Sequence, residues 1–230
     1  MDEFLDQVIE EHKTNLVEKK DFIDILLRVQ NQKDEMLGPG LAQQDIKGIL
    51  ADMFVAGTDT TSTIMEWLMA ELACEKSRGN EESTRRENLR LHPSLPLLVP
   101  RQTSESIQLG GYHIPAETTV FVNAWAIQRD PTLWDRPEEF IPERSENSDI
   151  DFKGQDFQFS PFGTGRRGCP GMTFGITVNE YVIANLLYWF EWKLPGGALA
   201  KDLDMTEAQS LTVFKKLPFH LLPIPYNCFP

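Results

Sequence analysis

Apolar positions recur three and four apart over separate stretches of the chain, and each such stretch predicts a helix. Phe4, Leu5, Val8 and Ile9 predict an amphipathic helix from Asp2 to about Lys19. Phe22, Ile23, Ile25, Leu26, Leu27 and Val29 form a second apolar cluster, broken by the polar run Gln30 to Glu35. Gly38-Pro39-Gly40 then reads as a loop. The longest periodic stretch runs from Gln43 to about Leu72. It carries Ile46, Ile49, Leu50, Met53 and Phe54 before its middle, and Ile64, Trp67, Leu68 and Leu72 after it. The middle itself, Gly57 followed by the Thr-rich run Thr58 to Thr63, is poor helix material. Threonine hydroxyls there compete for carbonyls of the preceding turn. That weakness, with an acid beside an alcohol, predicts a place where the backbone opens for a ligand.

Beyond Leu72 the pattern changes. Ala73 to Arg86 shows no apolar face and predicts a solvated connector. Glu87 and Arg90, three apart, share one face of a short helix that ends at Pro93. Pro93 to Arg101 is proline-punctuated and predicts extended chain. Ile107–Leu109 and Tyr112–Ile114 flank Gly110-Gly111 as a hairpin, and Thr118 to Asn123 predicts another strand. A short helical turn opens near Trp125, and Asp149 to Gln158 is a polar loop. The apolar run from Met172 to Phe190 predicts the most hydrophobic helix of the chain. Leu211–Phe214 and Leu217–Ile224 read as a closing hairpin. The fold class is mainly α with a small mixed β-sheet.

Composition narrows the function classes. The 230 residues are 41% hydrophobic and 25% charged, an ordinary globular profile. A net charge of −13 argues against nucleic acid as a partner. Cys74, Cys169 and Cys228 lie far apart, which suggests no disulfide framework and a reducing compartment. No stretch has the unbroken apolar length of a membrane-spanning helix, and the acidic start Met1-Asp2-Glu3 has no signal-peptide layout.

The chemistry concentrates in Phe159-Ser160-Pro161-Phe162-Gly163-Thr164-Gly165-Arg166-Arg167-Gly168-Cys169-Pro170-Gly171. The glycines allow positive φ and close approach of a flat object, and the prolines stiffen both ends. Arg166, Arg167 and the N-terminus of the following helix favour thiolate over thiol at Cys169. Such a sulfur attacks carbonyls, forms disulfides or ligates metal. A nucleophile wants a nearby base, yet none of the four histidines sits in a nucleophile signature. Zinc wants several Cys or His at close spacing. A lone thiolate fits an axial haem ligand best.

The segment Phe162 to Gly171 resembles the haem-binding signature of the cytochromes P450, Phe-x-x-Gly-x-Arg-x-Cys-x-Gly, with every fixed position filled. Ala56-Gly57-Thr58-Asp59-Thr60-Thr61 resembles the I-helix motif of that family, and Glu87-x-x-Arg90 before Leu91-His92-Pro93 resembles its K helix. Phe140-Ile141-Pro142-Glu143-Arg144 resembles its Phe-x-Pro-Glu-Arg-Phe segment, with Ser145 in place of the last aromatic. The wording looks most like the plant A-type microsomal P450s. The resemblance runs from about Leu5 to Ile224 and implies the C-terminal portion of the P450 fold, apparently truncated. In that reading residues 2–38 are G/H-like helices, 43–72 an I-like helix and 84–92 a K-like helix. Residues 95–123 form the β region, 137–145 the Pro-Glu-Arg segment and 159–171 the haem loop. Residues 172–192 form an L-like helix and 205–224 a C-terminal hairpin.

The resemblance implies haem b with Cys169 as its iron ligand. Phe162, Gly163, Gly165, Arg167 and Gly171 of the loop would contact the haem, as would Arg101 and, over the other face, Ala56 and Gly57. Asp59 and Thr60 would relay protons to dioxygen. Glu87, Arg90 and Arg144 would form a buried structural triad. Phe54, Leu97, Leu98, Val99, Leu211 and Val213 would line an apolar substrate pocket. The implied activity is a haem-thiolate monooxygenase. It would insert one oxygen atom of O2 into a small hydrophobic molecule, with NADPH-derived electrons from NADPH–cytochrome P450 reductase. By family the setting is the endoplasmic reticulum membrane; this chain shows no anchor, which points to the cytoplasm. The alternative is a truncated, non-catalytic remnant with weak or no haem binding.

Overall fold

The computed structural model describes residues 2–14, 21–31, 40–74, 80–146, 148–208 and 210–226. They fall into two compact units, Met1–Thr58 and Asp59–Pro230, and the boundary lies inside one long helix.

The first unit holds α1 (Asp2–Thr14), α2 (Phe22–Asn31) and the start of α3 (Gln43–Cys74). Acids at the start of α1 favour its N-terminus, and Asp21 caps α2 by accepting from the amides of Ile23 and Asp24. Ile9, Leu26, Leu27 and Ile46 form the core, joined by Ile23, Leu41, Ile49 and Leu50. Full burial of Ile9 and Ile46 contributes about 1.5–3 kcal/mol each. Lys47 Nζ reaches Asp2 (2.8 Å) and Asp6 (2.7 Å), and those two hydrogen bonds raise its pKa. The predicted end of the first helix near Lys19, and the turn at Gly38-Pro39, lie outside the described residues.

The second unit is built around the remainder of α3, α4 (Glu81–Leu91) and α6 (Met172–Trp189), with the short α5 (Ala124–Ile127) between them. Two apolar clusters flank α3. Ile64 packs with Leu89 and Phe159, while Leu68 and Met69 pack with Ile183. Among the described residues, six short strands form three separate antiparallel pairs. β1 (Arg101–Gln102) pairs with β4 (Thr119–Val120), β2 (Ile107–Leu109) with β3 (Tyr112–Ile114), and β5 (Phe190–Lys193) with β6 (Leu222–Pro225).

Several sequence expectations are corrected. The stretch 81–86, read as part of a solvated connector, is the first half of α4, with Ser83, Thr84 and Arg85 buried. Asn80 explains it: its side chain accepts from the Ser83 amide (2.8 Å), and its carbonyl accepts the Ser83 and Thr84 hydroxyls. Arg85 pairs with Glu180 of α6. A polar helix is buried here because most of its polar groups meet partners, among them the Asn88 amide, which donates to Ile64 O (3.1 Å). The predicted opening in α3 is absent, since the helix is continuous from Gln43 to Cys74. Ser62 and Thr63 hydroxyls bond the Asp59 carbonyl (both 2.9 Å) without breaking the ladder. Pro93 to Arg101 is not extended throughout: Leu98 N bonds Leu95 O (3.1 Å), and Leu98 takes φ of 51°. The strand predicted over Thr118–Asn123 shrinks to Thr119–Val120. The sheet is antiparallel rather than mixed. Phe190 leaves the helix and starts β5, whose partner is the tail. Residues 222–225 therefore do not close a hairpin with 211–214; that earlier segment folds back on Glu207, which bridges to Lys215.

Candidate functional site

The cysteine loop is closed by its own backbone. Cys169 N donates to Phe162 O (2.9 Å), Gly163 N to Ser160 O and Gly168 N to Gly165 O (3.0 Å each). Only Gly163 and Gly165 use positive φ, 68° each. Gly168 and Gly171 have negative φ, which corrects the expectation for all four glycines. Gly168 needs its small size instead, because a Cβ there would press to 3.3 Å from Gly165 O. Cys169 is an exposed free thiol. α6 starts three residues later, at Met172, and its Gly175 comes close to Thr61 of α3. The first turn of α6 therefore lies beside Thr61, the residue that follows Asp59 and Thr60.

Arg101 belongs to the same neighbourhood. A Cβ on Gly163 would lie 3.6 Å from Arg101 Nη2 and 3.6 Å from Leu98 Cδ1, and Arg101 Nη2 donates to Arg167 O (3.3 Å). The Arg167 side chain is exposed. Leu98 is buried while Leu97 and Val99 are exposed, so the three consecutive candidates do not share one environment. Val213 is buried and Leu211 exposed. Phe54, Ala56 and Gly57 lie in the first unit, exposed on α3.

Asp59 is exposed, and its Oδ2 accepts from Thr212 Oγ1 at 2.7 Å. Thr60 O accepts from Ser94 Oγ (3.3 Å). The segment behind Thr212 is fixed by Val213 N to Ser94 O (3.0 Å) and Trp67 Nε1 to Val213 O (2.6 Å). Trp67 stacks on His92 with ring centroids 4.0 Å apart, and His92 Nε2 lies 2.6 Å from Glu71 Oε1. Glu207 stands 3.7 Å from His92 Nδ1 and 3.6 Å from Arg129 Nη2. The His92 ring, and after it Arg129, hold the Glu207 carboxyl below the usual carboxylate range against the opposing effect of burial. Burial pulls Arg129 down from the usual guanidinium value. Sequence reading took Thr212 only as part of the Leu211–Phe214 arm of a hairpin and Trp67 only as an apolar helix position, and it gave no role to Ser94 or Glu207. Their roles rest on pairings across the fold that no local spacing encodes.

Glu87 is fully buried. Its carboxylate accepts from Arg90 Nε (2.9 Å), Arg90 Nη2 (2.8 Å), Arg144 Nε (2.9 Å) and Ile141 N (3.0 Å). Arg90 spends its remaining donors on the carbonyls of Gln128, Pro137 and Glu139. Its guanidinium carbon lies 5.3 Å from the Trp134 ring centroid, and Trp134 meets Phe159 edge-on at 6.3 Å. Phe159 and Phe162 both pack on Phe152. The charged cluster therefore supports the aromatic wall from which the cysteine loop departs. Ser145 lines a small void beside Glu87, Arg90, Trp134 and Phe159.

These residues fit a haem. A sulfur ligand with no second Cys or His in its loop, a free thiol exposed above a closed glycine loop, and a guanidinium beside that loop are the donors an iron porphyrin with carboxylate arms needs.

Comparison with known proteins agrees. The cytochrome P450 family model matches residues 1–77 and 82–222. A phenylacetaldehyde oxime monooxygenase of Prunus mume is 48% identical over 258 residues, covering 98% of this chain and 49% of the relative. Cytochrome P450 71A1 of Persea americana is 47% identical over 255 residues, 96% of this chain and 50% of the relative. A zebra fish cytochrome P450 structure with progesterone superposes with a TM-score of 0.80 at 26% identity, over 98% of this chain and 56% of that one. The chain spans about half the length of the curated relatives it matches. On motif, fold and family match together, it belongs to the cytochrome P450 family.

Proposed function

We propose that this chain carries the haem-thiolate and proton-delivery machinery of a monooxygenase. The single observation behind the reading is Cys169, a lone exposed sulfur on a loop locked by its own amide, beside Arg101 and one helix start away from Thr61. Haem bound there supplies activation of dioxygen with electrons from a reductase. Cys169 Sγ would ligate the iron. Phe162, Gly163, Gly165 and Gly171 would let a flat macrocycle approach the loop, and Arg101 and Arg167 would neutralise its carboxylates. Asp59 and Thr60 hold and pass protons at a carboxylate oxygen and at Oγ1. Leu97, Val99 and Leu211, exposed in the second unit, offer apolar contact to a small hydrophobic substrate. The Prunus mume relative is named for phenylacetaldehyde oxime, a molecule of that class. The electron donor in this reading is NADPH–cytochrome P450 reductase at the endoplasmic reticulum membrane. No helix among the described residues is long and apolar enough to cross a membrane.

The test is the reduced carbon monoxide difference spectrum of the haem-reconstituted chain. Thiolate ligation gives a strongly red-shifted Soret band. Cys169→Ser abolishes that band and Cys74→Ser leaves it. Equal loss from both refutes the ligand assignment. A second reading, a chain with weak or no haem binding, is favoured by the apolar side chains left bare in the second unit, Phe174, Tyr181 and Leu211 among them. A spectrum like that of free haem in the wild-type chain supports it.

A further inference from the structure

The Asp59 carboxylate has a hydroxyl partner 153 residues away in sequence: Thr212 Oγ1 donates to Asp59 Oδ2 at 2.7 Å. A helix side chain at an exposed position ordinarily samples several rotamers. Asp59 is exposed, so packing does not fix it. Thr212 is only 5% exposed, and its neighbours hold it still. Val213 is pinned on both sides, by its amide to Ser94 O and by Trp67 Nε1 to its carbonyl. Further on, Lys215 N donates to Glu66 Oε2 (3.1 Å), and Ala208 N donates to Phe214 O (2.8 Å). The donor is thus the fixed partner and the acid the one being oriented. On the other side of Thr212 stands Leu211, 70% exposed and next in chain.

We propose that Thr212 is a positioning residue for Asp59. Its hydroxyl selects one rotamer of the carboxylate and leaves Oδ1 as the oxygen that faces outward. The catalytic consequence rests on the proposed proton role of Asp59; the positioning itself does not. The bond is charge-assisted and short, and its loss redistributes Asp59 rotamers by about tenfold or more.

The experiment uses the full chain labelled with ¹³C and ¹⁵N in aspartate only, and reads Asp59 χ1 from three-bond couplings. Wild type and Thr212→Ser show one dominant rotamer. Thr212→Val, which keeps the shape and removes the donor, shows averaged couplings. Unchanged couplings in Thr212→Val overturn the proposal. If Thr212→Val does not fold, the decision passes to wild type, where averaged Asp59 couplings overturn it and a single rotamer supports it. In the haem-loaded chain, Thr212→Val raises peroxide released per reductant consumed, and Thr212→Ser restores the ratio. A chain that shows the rotamer effect but no thiolate spectrum refutes the proposed function and leaves the positioning role standing.

Discussion

Replacing Glu87 by glutamine tests the central electrostatic claim about the second unit. The carboxylate accepts four hydrogen bonds, three of them from two guanidinium groups. Arg90 is 1% exposed, and the Arg144 side chain 12%. Glutamine keeps one oxygen, which retains the donors now on Oε1. Its NH2 then faces Arg90 Nε, donor against donor, and no anion remains between two cations. Loss of one charged hydrogen bond costs about 1.5–3 kcal/mol. Stranding buried charge costs more, about 3–5 kcal/mol. The larger figure decides, because water cannot reach Arg90. A domain of this size holds about 5–15 kcal/mol in total. Glu87→Gln therefore removes about a fifth or more of the stability, with a fall in Tm of about 6–20 °C at roughly 2–4 °C per kcal/mol. The assay is urea unfolding followed by tryptophan fluorescence. All five tryptophans lie within Asp59–Pro230, and Trp134 stands against the Arg90 guanidinium, so the signal reports this unit. Glu138→Gln is the control: its pair with Arg129 is 3.2 Å long, but Glu138 is 69% exposed, and its loss costs under about 1 kcal/mol. A Glu87→Gln cost as small as that of the control refutes the reasoning.

Three further outcomes follow from the same geometry. Glu207 is held below its ordinary pKa in the folded state, so its contribution is full above the unfolded value near 4.5 and is lost as pH falls through the folded value. Glu207→Gln accordingly lowers stability at pH 7 and flattens its decline below about pH 4.5 in urea titrations across pH; parallel curves count against this. Asn80→Ala removes the cap of α4 and costs about 0.5–2 kcal/mol, while Asn80→Asp keeps it; equal losses in thermal melts refute the capping account. Gly163→Ala forces a side chain to φ of 68° and costs about 1–2 kcal/mol, whereas Gly57→Ala, mid-helix with nothing within 4 Å, stabilises by about 0.5–1 kcal/mol; circular dichroism melts separate the two signs.

The motif-bearing positions were legible because each depends on a short run of chain. The cysteine loop needs glycine at two positive-φ positions and an amide that reaches back to Phe162, all within a few residues. The helical period gave α3 within two residues at its C-terminal end. Where the pattern failed, a polar group had found a distant partner. Ser83, Thr84 and Arg85 read as solvated because side-chain type alone carries no record of Asn80's cap or of Glu180. The tail strand Leu222–Pro225 chose β5 over its sequence neighbour, a choice made by where α6 ends.

The order of motifs, the single sulfur on its glycine loop and the family follow from the sequence, because they are fixed by local backbone geometry and side-chain chemistry. Only the tertiary structure decided that Leu98 turns inward between exposed neighbours, that a polar helix start is buried, and that Asp59 receives its hydrogen bond from Thr212. Those outcomes depend on which surfaces meet. A donor and an acceptor far apart in the chain are paired by the packing of the elements that carry them, and periodicity has no term for that distance.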